Sequence, residues 1–224
     1  MLSKRLKAVA DMVTKGNNAA DIGTDHGYVP IYLVKNHISR HVYAMDINEG
    51  PLKMADKNIC LEGFSEKITT VLSDGMEKLK DHMAETVIIA GMGGDLIADI
   101  LFRGKNIKGI KELVLSPHKR IDIVRKYLTE NHWKIIQEEM VKDAGKYYTI
   151  LKAVPGEERE YTDVELKYGR CLLKNRNETL KEYLEKENEK FLEILNRMKK
   201  DGNKNISQIE EILKMNEKGR AYYD

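Results

Sequence analysis

Hydrophobic positions in the first 155 residues alternate between short apolar runs and segments with helical spacing. Leu2, Leu6, Val9, Ala10 and Val13 recur at helical intervals, and Ser3 is a suitable helix cap. Short apolar runs bounded by glycine or polar turns predict strands. The predicted strands are 19–22, 41–46, 68–72, 86–90, 112–115, 133–140 and 147–154, and the predicted helices are 2–13, 31–34, 51–60 with Pro51 in the first turn, 96–101 and 121–131.

The order of these segments predicts the fold class. Strands that alternate with helices form a parallel sheet covered by helices on both faces. The last two strands have no helix between them and must therefore pair as an antiparallel hairpin. We predict an α/β, Rossmann-like fold of the class I methyltransferase type, with a mostly parallel sheet that ends in an antiparallel hairpin.

A change of pattern after 155 predicts a second domain. Beyond Pro155-Gly156-Glu157-Glu158 only helical spacing remains, with a polar link at 199–205. The first stripe has heptad-like spacing interrupted by Glu187, and the two apolar stripes consist of Leu180, Leu184, Phe191, Ile194 and Met198, then Ile206, Ile209, Ile212 and Leu213. We expect a cofactor-binding domain over 1–155 and a coiled-coil-like helical hairpin over 156–224.

Composition narrows the class of protein. With 42% hydrophobic and 33% charged residues and 4 prolines in 224 residues, the chain is not disordered. No apolar run reaches the roughly 18 residues of a membrane span, and the basic N-terminus does not resemble a signal peptide. Cys60 and Cys171 are too isolated for a disulfide framework or a cysteine zinc site. We therefore expect a cytoplasmic, metal-free monomer.

Charge alone does not identify a partner. The chain has 38 basic and 36 acidic residues, a net charge of +2, which neither requires nor excludes a nucleic acid. Basic side chains cluster before the first strand and after the fifth, at Lys4, Arg5, Lys7, His118, Lys119 and Arg120. Such clusters suit phosphate contacts, although ordinary solvated faces would look the same.

The carboxyl ends of four predicted strands carry residues typical of a nucleotide cofactor site. They are Asp21-x-Gly23-x-x-x-Gly27, Asp46, Asp74-Gly75 and Gly91-Met92-Gly93-Gly94. Ligands of open parallel sheets bind at this edge. The first turn lacks the Gly-x-Gly-x-x-Gly spacing of dinucleotide sites, and its carboxylates at Asp21 and Asp25 would repel a pyrophosphate. They suit the ammonium and sulfonium of S-adenosylmethionine, with another nucleotide as the alternative.

Each strand end has a predicted role in binding this cofactor. Asp46 can accept hydrogen bonds from the ribose hydroxyls, and Asp74 from the adenine amino group. Asp21 could instead only brace the turn, and Asp74-Gly75 could be a plain turn. The predicted cofactor-binding residues are Asp21, Gly23, Thr24, His26, Gly27, Asp46, Ile47, Asn48, Asp74, Gly75, Gly91, Met92 and Gly93.

Three side chains near the first and fourth turns are candidates for contact with a methyl acceptor. His26 and Tyr28 could contact the acceptor or merely brace the turn. The small residues 91–94 leave room for a base or for free N–H donors, or form a tight structural turn. Asp95 could cap the helix that follows.

Several motifs together resemble the bacterial tRNA (adenine-22)-N1-methyltransferases, the TrmK family. They are Ala20-Asp21-Ile22-Gly23-Thr24-Asp25-His26-Gly27-Tyr28-Val29-Pro30, Ala90-Gly91-Met92-Gly93-Gly94 and Leu113-Val114-Leu115-Ser116-Pro117, with Gly145-Lys146-Tyr147-Tyr148 in the last hairpin. The resemblance implies methyl transfer to N1 of an adenine in the D-arm region of tRNA, with the C-terminal domain helping to hold the tRNA. Many members have Gln where this chain has Ser116, which reaches less far toward a base.

The chemistry implied by the resemblance needs no general base, because N1 of neutral adenine carries a lone pair. Acidic groups would favour the charge that develops on the base, and flat side chains would stack on a flipped base. The predicted catalytic residues are Asp25, His26, Tyr28 and Asp95, and the predicted tRNA contacts are Lys4, Arg5, Lys7, Gly94, Ser116, Lys119 and Arg120. A small-molecule methyltransferase and a non-catalytic cofactor-binding scaffold are the alternatives.

Overall fold

The computed structural model describes residues 2–201 and 206–224. The chain divides into two compact units, the first ending at Arg159 and the second beginning at Glu160. Part of the polar link predicted at 199–205 lies outside the described residues, and helix continues through Lys200.

The first unit is built on a seven-stranded sheet, counted over the described residues. The strands are β1 Ala19–Ile22, β2 Val42–Asp46, β3 Ile68–Leu72, β4 Thr86–Ala90, β5 Glu112–Ser116, β6 Trp133–Asp143 and β7 Lys146–Pro155. Their spatial order is β3-β2-β1-β4-β5-β7-β6. The strands from β1 to β5 pair in parallel, whereas β7 is antiparallel to both β5 and β6. The predicted fold class is confirmed.

Five helices lie in the described residues of the first unit, one before β1 and four that connect strands. They are α1 Lys4–Asp11, α2 Tyr28–Lys35, α3 Glu49–Leu61, α4 Gly94–Arg103 and α5 Ile121–Glu130. The Ser3 hydroxyl accepts a hydrogen bond from the Leu6 amide, which confirms the predicted cap. Helix α3 begins at Glu49, two residues earlier than expected, and Pro51 still lies in its first turn, where its missing N–H costs nothing.

The core explains why the central strands contain so many small and branched residues. All four residues of β1 are buried, as expected for a strand with neighbours on both sides and helices on both faces. Val9 of α1, Leu33 of α2, Ile88 of β4 and Val114 of β5 belong to one hydrophobic cluster. This packing makes the first unit a rigid platform for the loops at its carboxyl edge.

Strand β1 marks the topological switch point of the sheet. It pairs with β2 on one side and with β4 on the other. The connections that leave this point go to opposite sides, so a crevice opens beyond the carboxyl ends of β1, β2 and β4. The four motif-bearing loops of the sequence follow β1, β2, β3 and β4, at this edge.

The second unit is helical but contains more than the predicted hairpin. Its helices are α6 Asp163–Tyr168, α7 Arg170–Lys174, α8 Glu178–Lys200 and α9 Ser207–Arg220. The two short helices were missed, although Thr162 and Glu165 form a capping box at the start of α6. Helices α8 and α9 pack together, as expected, and the Asn216 side chain donates to the Leu184 carbonyl.

The acid that interrupts the first apolar stripe has a structural role. The Glu187 carboxylate is only 8% exposed and accepts hydrogen bonds from the hydroxyls of Tyr168 and Tyr183 and from the Asn216 amide. A buried carboxylate is tolerated because these donors replace its water. The polar position thus fixes how α6, α8 and α9 meet.

Three further observations concern membranes, cysteines and metals. Each helix that the structure describes is either too short or too polar to cross a bilayer. Neither Cys60 nor Cys171 forms a disulfide. Over residues 2–201 and 206–224, no group of three or more His, Cys, Asp or Glu side chains is arranged to hold a metal ion.

Candidate active site at the carboxyl edge of the sheet

The turn after β1 is shaped by two glycines with left-handed backbone. Gly23 has φ +77° and Gly27 has φ +71°, conformations that side chains disfavour. The amides of Gly23 and Thr24 both donate to the Met45 carbonyl of β2, which anchors the turn across the switch point. A Cβ on Gly23 would lie 2.3 Å from the Met92 methyl group. The turn therefore has room for Met92 only because residue 23 has no side chain.

Asp21 is a buried carboxylate within β1. Burial raises its pKa to about 6 and the nearby Asp46 adds to the rise, while the polar side chain of Thr24 opposes it. It lines a small cavity of about 80 Å³ that Arg5, Asp25 and Tyr28 also line. Asp21 therefore faces a cavity, and its contact with the cofactor stays a prediction.

Asp46 ends β2 with its carboxylate at the mouth of the crevice. One carboxylate oxygen accepts a hydrogen bond from the Asn48 amide at 2.8 Å, and the second oxygen remains available to a ligand. Asp46, Ile47 and Asn48 line a cavity of about 400 Å³. Its other lining residues are Arg5, Gly23, Asp25, Ala90, Gly91, Met92 and His118. Residues predicted at three of the four strand ends therefore meet around one cavity.

Asp74 and Gly75, at the fourth predicted strand end, do not line this cavity. Both carboxylate oxygens of Asp74 contact Arg103 of α4, each at 3.2 Å. A Cβ on Gly75 would lie 3.1 Å from a methylene of Ile100. Asp74 and Gly75 thus pack against α4, which agrees with the alternative that this segment is a plain turn. A direct contact between Asp74 and the cofactor stays a prediction, in which the carboxylate would serve Arg103 and the ligand together.

The loops after β4 and β5 are joined by backbone hydrogen bonds. Gly91 N donates to the Ser116 carbonyl at 3.0 Å, His118 N to the Met92 carbonyl at 2.9 Å, and Gly94 N to the Lys119 carbonyl at 2.9 Å. The expectation of free N–H donors in this turn is therefore wrong for Gly91 and Gly94. We call this pair of joined segments, 91–94 and 116–119, the double loop.

Two of the predicted substrate contacts are structural residues of the double loop. A Cβ on Gly94 would lie 2.0 Å from the Arg120 carbonyl oxygen, so glycine is needed for packing rather than for substrate contact. The Ser116 side chain is fully buried and its hydroxyl has no hydrogen-bond partner. Neither residue can touch an incoming base in this arrangement, and both predictions are corrected.

The predicted catalytic residues separate into those at the cavity and those away from it. Asp25 and Tyr28 line cavity walls, and Tyr28 is half exposed at the start of α2. The His26 imidazole lies 3.1 Å from the Asp25 carboxylate and 5.6 Å from the Tyr28 ring, outside the cavity lining. Asp95 is not the cap of α4, because Gly93 occupies that position. Its carboxylate lies 3.9 Å from Arg120 instead.

The predicted basic contacts also differ in their surroundings. Arg5 is half buried, lines the cavity, and carries a buried Nη1 atom with no hydrogen-bond partner. Lys7 pairs with Asp11 on the same helix, and Lys4 is exposed. Lys119 packs beside Gly93, and Arg120 lies 3.7 Å from Asp122. Arg5 is thus a wall of the site, whereas the others are surface cations.

Sequence reasoning missed two aromatic residues beside the cavity. His118 lines it, and its ring lies 5.6 Å from the Tyr148 ring. The Arg5 guanidinium lies 5.4 Å from the same Tyr148 ring. The signal available was position, because His118 follows β5 by two residues and so falls at the ligand-binding edge. It was grouped with Lys119 and Arg120 as a surface cation instead.

Comparison with known proteins agrees with this geometry. Residues 2–151 match the family model described as a methyltransferase domain. The chain is 36% identical over 170 residues to the Bacillus subtilis tRNA (adenine(22)-N(1))-methyltransferase, which covers 75% of this chain and 71% of that one. The chain belongs to the tRNA (adenine(22)-N1)-methyltransferase family. The resemblance seen in its motifs is confirmed.

Solved structures of this family extend the likeness over nearly the whole chain. TrmK of M. capricolum, solved with S-adenosyl-homocysteine, superposes with a TM-score of 0.83 at 31% identity, covering 99% of this chain and 97% of that one. The Streptococcus pneumoniae protein Sp1610, solved with S-adenosyl-L-methionine, has a TM-score of 0.83 at 33% identity and covers 95% of this chain and 100% of that one. The family fold thus includes the helical C-terminal part.

Proposed function

We propose that this protein transfers a methyl group from S-adenosylmethionine to N1 of the adenine at position 22, in the D-arm region of tRNA. One observation carries the proposal. This chain belongs to the methyltransferase family, and its switch-point cavity has an available carboxylate oxygen of Asp46 on one side and the glycine turn after β1 on the other.

The chain's own residues fit this cofactor. Asp46 offers an oxygen to the ribose hydroxyls, Gly23 leaves a bare surface, and Asp21 and Asp25 place negative charge beside a ligand that carries positive charge. Bound S-adenosylmethionine supplies an electrophilic methyl group on its sulfonium. The wall residues hold and orient the cofactor.

Methyl transfer to adenine N1 makes limited demands on the protein. N1 of neutral adenine has a lone pair, so no proton has to be removed before it attacks. The protein contributes position and a suitable field. Asp25 lines the cavity and favours the positive charge that moves onto the base. Tyr28 is exposed beside it and can stack on a base that has left its helix. Asp95 lies away from the cavity, paired with Arg120, and has no role in this scheme.

Recognition of tRNA falls to cationic groups around the cavity and to the second unit. Arg5 at the cavity wall and exposed Lys4 and Lys119 can contact phosphates, which supply affinity rather than sequence choice. The C-terminal region 156–224 helps to hold the tRNA in this proposal. In this scheme the protein acts as a single chain. We propose that it acts in the cytoplasm, where its tRNA substrate is found.

The proposal is tested by methylating an unmodified tRNA transcript with isotope-labelled cofactor and analysing a nuclease digest by mass spectrometry. We expect labelled N1-methyladenosine in the D-arm fragment. Label in other nucleosides, or none despite cofactor binding, would contradict the proposal; the second result would favour a scaffold.

Cofactor placement is tested with Asp46→Ala. Losing hydrogen bonds from two ribose hydroxyls to a charged acceptor should weaken cofactor binding by about 10- to 100-fold in calorimetry. Asp56→Ala is the matched control, because that carboxylate lies on α3 and contacts Thr70 rather than the cavity. Equal cofactor affinity in Asp46→Ala and the parent protein would show that the ribose lies elsewhere.

A further inference from the structure

The sheet topology indicates where the methyl acceptor must lie in the cavity. Asp46 follows β2, and His118 follows β5, with β1 and β4 between them. Three spacings of about 4.8 Å separate these strands by roughly 14 Å. A cofactor whose ribose contacts Asp46 and whose methionine part crosses the β1 turn directs its methyl group toward β4 and β5. The acceptor base then meets the wall formed by Gly91 and His118.

The backbone of His118 is fixed at this wall by the double loop, and its side chain is exposed. Its amide donates to the Met92 carbonyl as part of the double loop, and its ring lies against Tyr148. A Cβ built on Gly91 would lie 3.8 Å from both Cε1 and Nε2 of the imidazole and 3.8 Å from Nη2 of Arg5. The imidazole edge and the guanidinium therefore border the same bare surface at Gly91, where a flat base has room to lie.

The charges around His118 favour its neutral form. Burial lowers the pKa of His118, and the positive charges of Arg5 on α1 and Lys146 on β7 lower it further. Tyr148 on β7 packs against the ring, and Asp25 lines the same cavity. A neutral imidazole has one ring nitrogen that accepts a hydrogen bond, whereas a guanidinium accepts none.

We propose that His118 is a catalytic and specificity-determining residue that accepts a hydrogen bond from the exocyclic amino group of the target adenine. The inference rests on the proposed function. The new bond forms between N1 and the methyl carbon while the sulfur–methyl bond breaks and its electron pair stays on sulfur. Positive charge spreads from N1 to the amino group, which becomes a stronger donor. A fixed acceptor there binds the transition state more tightly than the ground state.

This role also explains a choice among bases. An amino group at C6 donates to the accepting ring nitrogen, whereas the carbonyl at C6 of guanine would require the other tautomer of the imidazole.

The test is a double-mutant cycle in which the His118 side chain and the amino group of the base are removed singly and together. Single-turnover methylation is measured on a transcript with adenosine at position 22 and on one with purine riboside there, which lacks the amino group. For the parent protein we expect a large adenosine-to-purine rate ratio, and for His118→Ala a ratio smaller by on the order of 10-fold. Cofactor affinity in calorimetry should stay within about 2-fold of the parent value, because the hydrogen bond concerns the acceptor.

His41→Ala is the matched control. Burial also lowers the pKa of His41, but this residue precedes β2 at the opposite edge of the sheet and contacts Thr69. Its rate ratio should equal that of the parent protein. An unchanged ratio in His118→Ala would overturn the inference, and so would a rate loss fully explained by weaker cofactor binding.

His118→Gln provides a second readout and serves if the alanine variant folds poorly. Glutamine keeps an acceptor oxygen and cannot gain a proton. The parent rate should fall as the pH drops through the lowered pKa of His118, whereas the glutamine variant should retain activity without that fall. The same acid fall in both proteins would overturn the inference. Failure of the parent protein to methylate the adenosine transcript would instead contradict the proposed function.

Discussion

At the scale of single residues, three aspartates predicted for one purpose have three different environments. Asp21 is buried, Asp46 has a carboxylate oxygen available at the cavity, and Asp74 is paired with Arg103. The sequence places all three at or near strand ends but does not show which cations or backbone donors surround them. Burial and pairing, which depend on the whole fold, decide which carboxylate can serve a ligand.

Asp21→Asn should raise the stability of the protein without cofactor at alkaline pH. The pKa of Asp21 is about 6 in the folded protein, against an ordinary value of 3.8, so folding is penalised when the carboxyl is ionised. The penalty is small below pH 4, grows between the unfolded and the folded pKa, and levels off at about 3 kcal/mol above the folded pKa. Urea unfolding of the variant at pH 8 should show a gain of this order, and roughly half of it at pH 5.

Asp25→Asn is the control for this prediction. The Asp25 side chain is 80% exposed, so its neutralisation should change the free energy of unfolding little at either pH. A stability gain for Asp21→Asn that is the same at pH 5 and pH 8 would contradict the burial argument. Cofactor affinity should fall in the Asp21 variant. The buried negative charge lowers the stability of the fold but favours binding of a positively charged cofactor.

Gly23→Ala should weaken cofactor binding beyond the effect of backbone strain. Alanine at a left-handed position costs about 1–2 kcal/mol of folding free energy, and the new Cβ would also displace the flexible end of Met92 within the cavity. Gly16→Ala is the matched control, because Gly16 has φ +95° and open space around it. Both variants should unfold at lower urea concentration, but only Gly23→Ala should bind the cofactor less tightly. Parental affinity in Gly23→Ala would contradict this view of the turn.

At the scale of elements, the spacing of apolar residues was sufficient to predict the strands of the sheet. Strands β1, β3 and β4 have the predicted bounds, because buried parallel strands are short continuous apolar runs. The short helices α6 and α7 were missed, since six and five residues contain too few turns to show a helical stripe. The double loop was also outside prediction, because its hydrogen bonds join segments more than twenty residues apart.

Gly94→Ala should disrupt the double loop. The new Cβ would lie 2.0 Å from the Arg120 carbonyl oxygen and 3.0 Å from that of Lys119, and backbone atoms cannot move aside as a side chain can. We expect a loss of about 1–3 kcal/mol in urea unfolding, with reduced methylation because His118 shifts. Gly50→Ala is the control, in the first turn of α3 with open space around it; it should be neutral or stabilise by up to about 1 kcal/mol. Equal stability of the two variants would contradict the packing argument.

At the scale of the whole molecule, the division of the chain separates two tasks. The family model for the methyltransferase domain ends at residue 151, and the first compact unit ends at Arg159. The cavity, the double loop and the residues proposed for catalysis all belong to the first unit. The second unit has its own buried centre around Leu180, Leu184 and Glu187. Such a division favours a catalytic unit joined to a unit that holds a large substrate.

A chain shortened to end at Arg159 should therefore keep cofactor binding and lose tRNA methylation. The cofactor contacts remain, whereas the proposed contacts of 160–224 with tRNA are removed, and each lost phosphate contact also lowers the salt dependence of binding. Calorimetry measures the first property, and methyl incorporation with tRNA binding at two salt concentrations measures the second. The full chain with Lys57→Ala, an exposed change on α3, is a control for general surface effects. If the shortened chain methylates tRNA with the parental KM, the second unit has no part in holding the substrate.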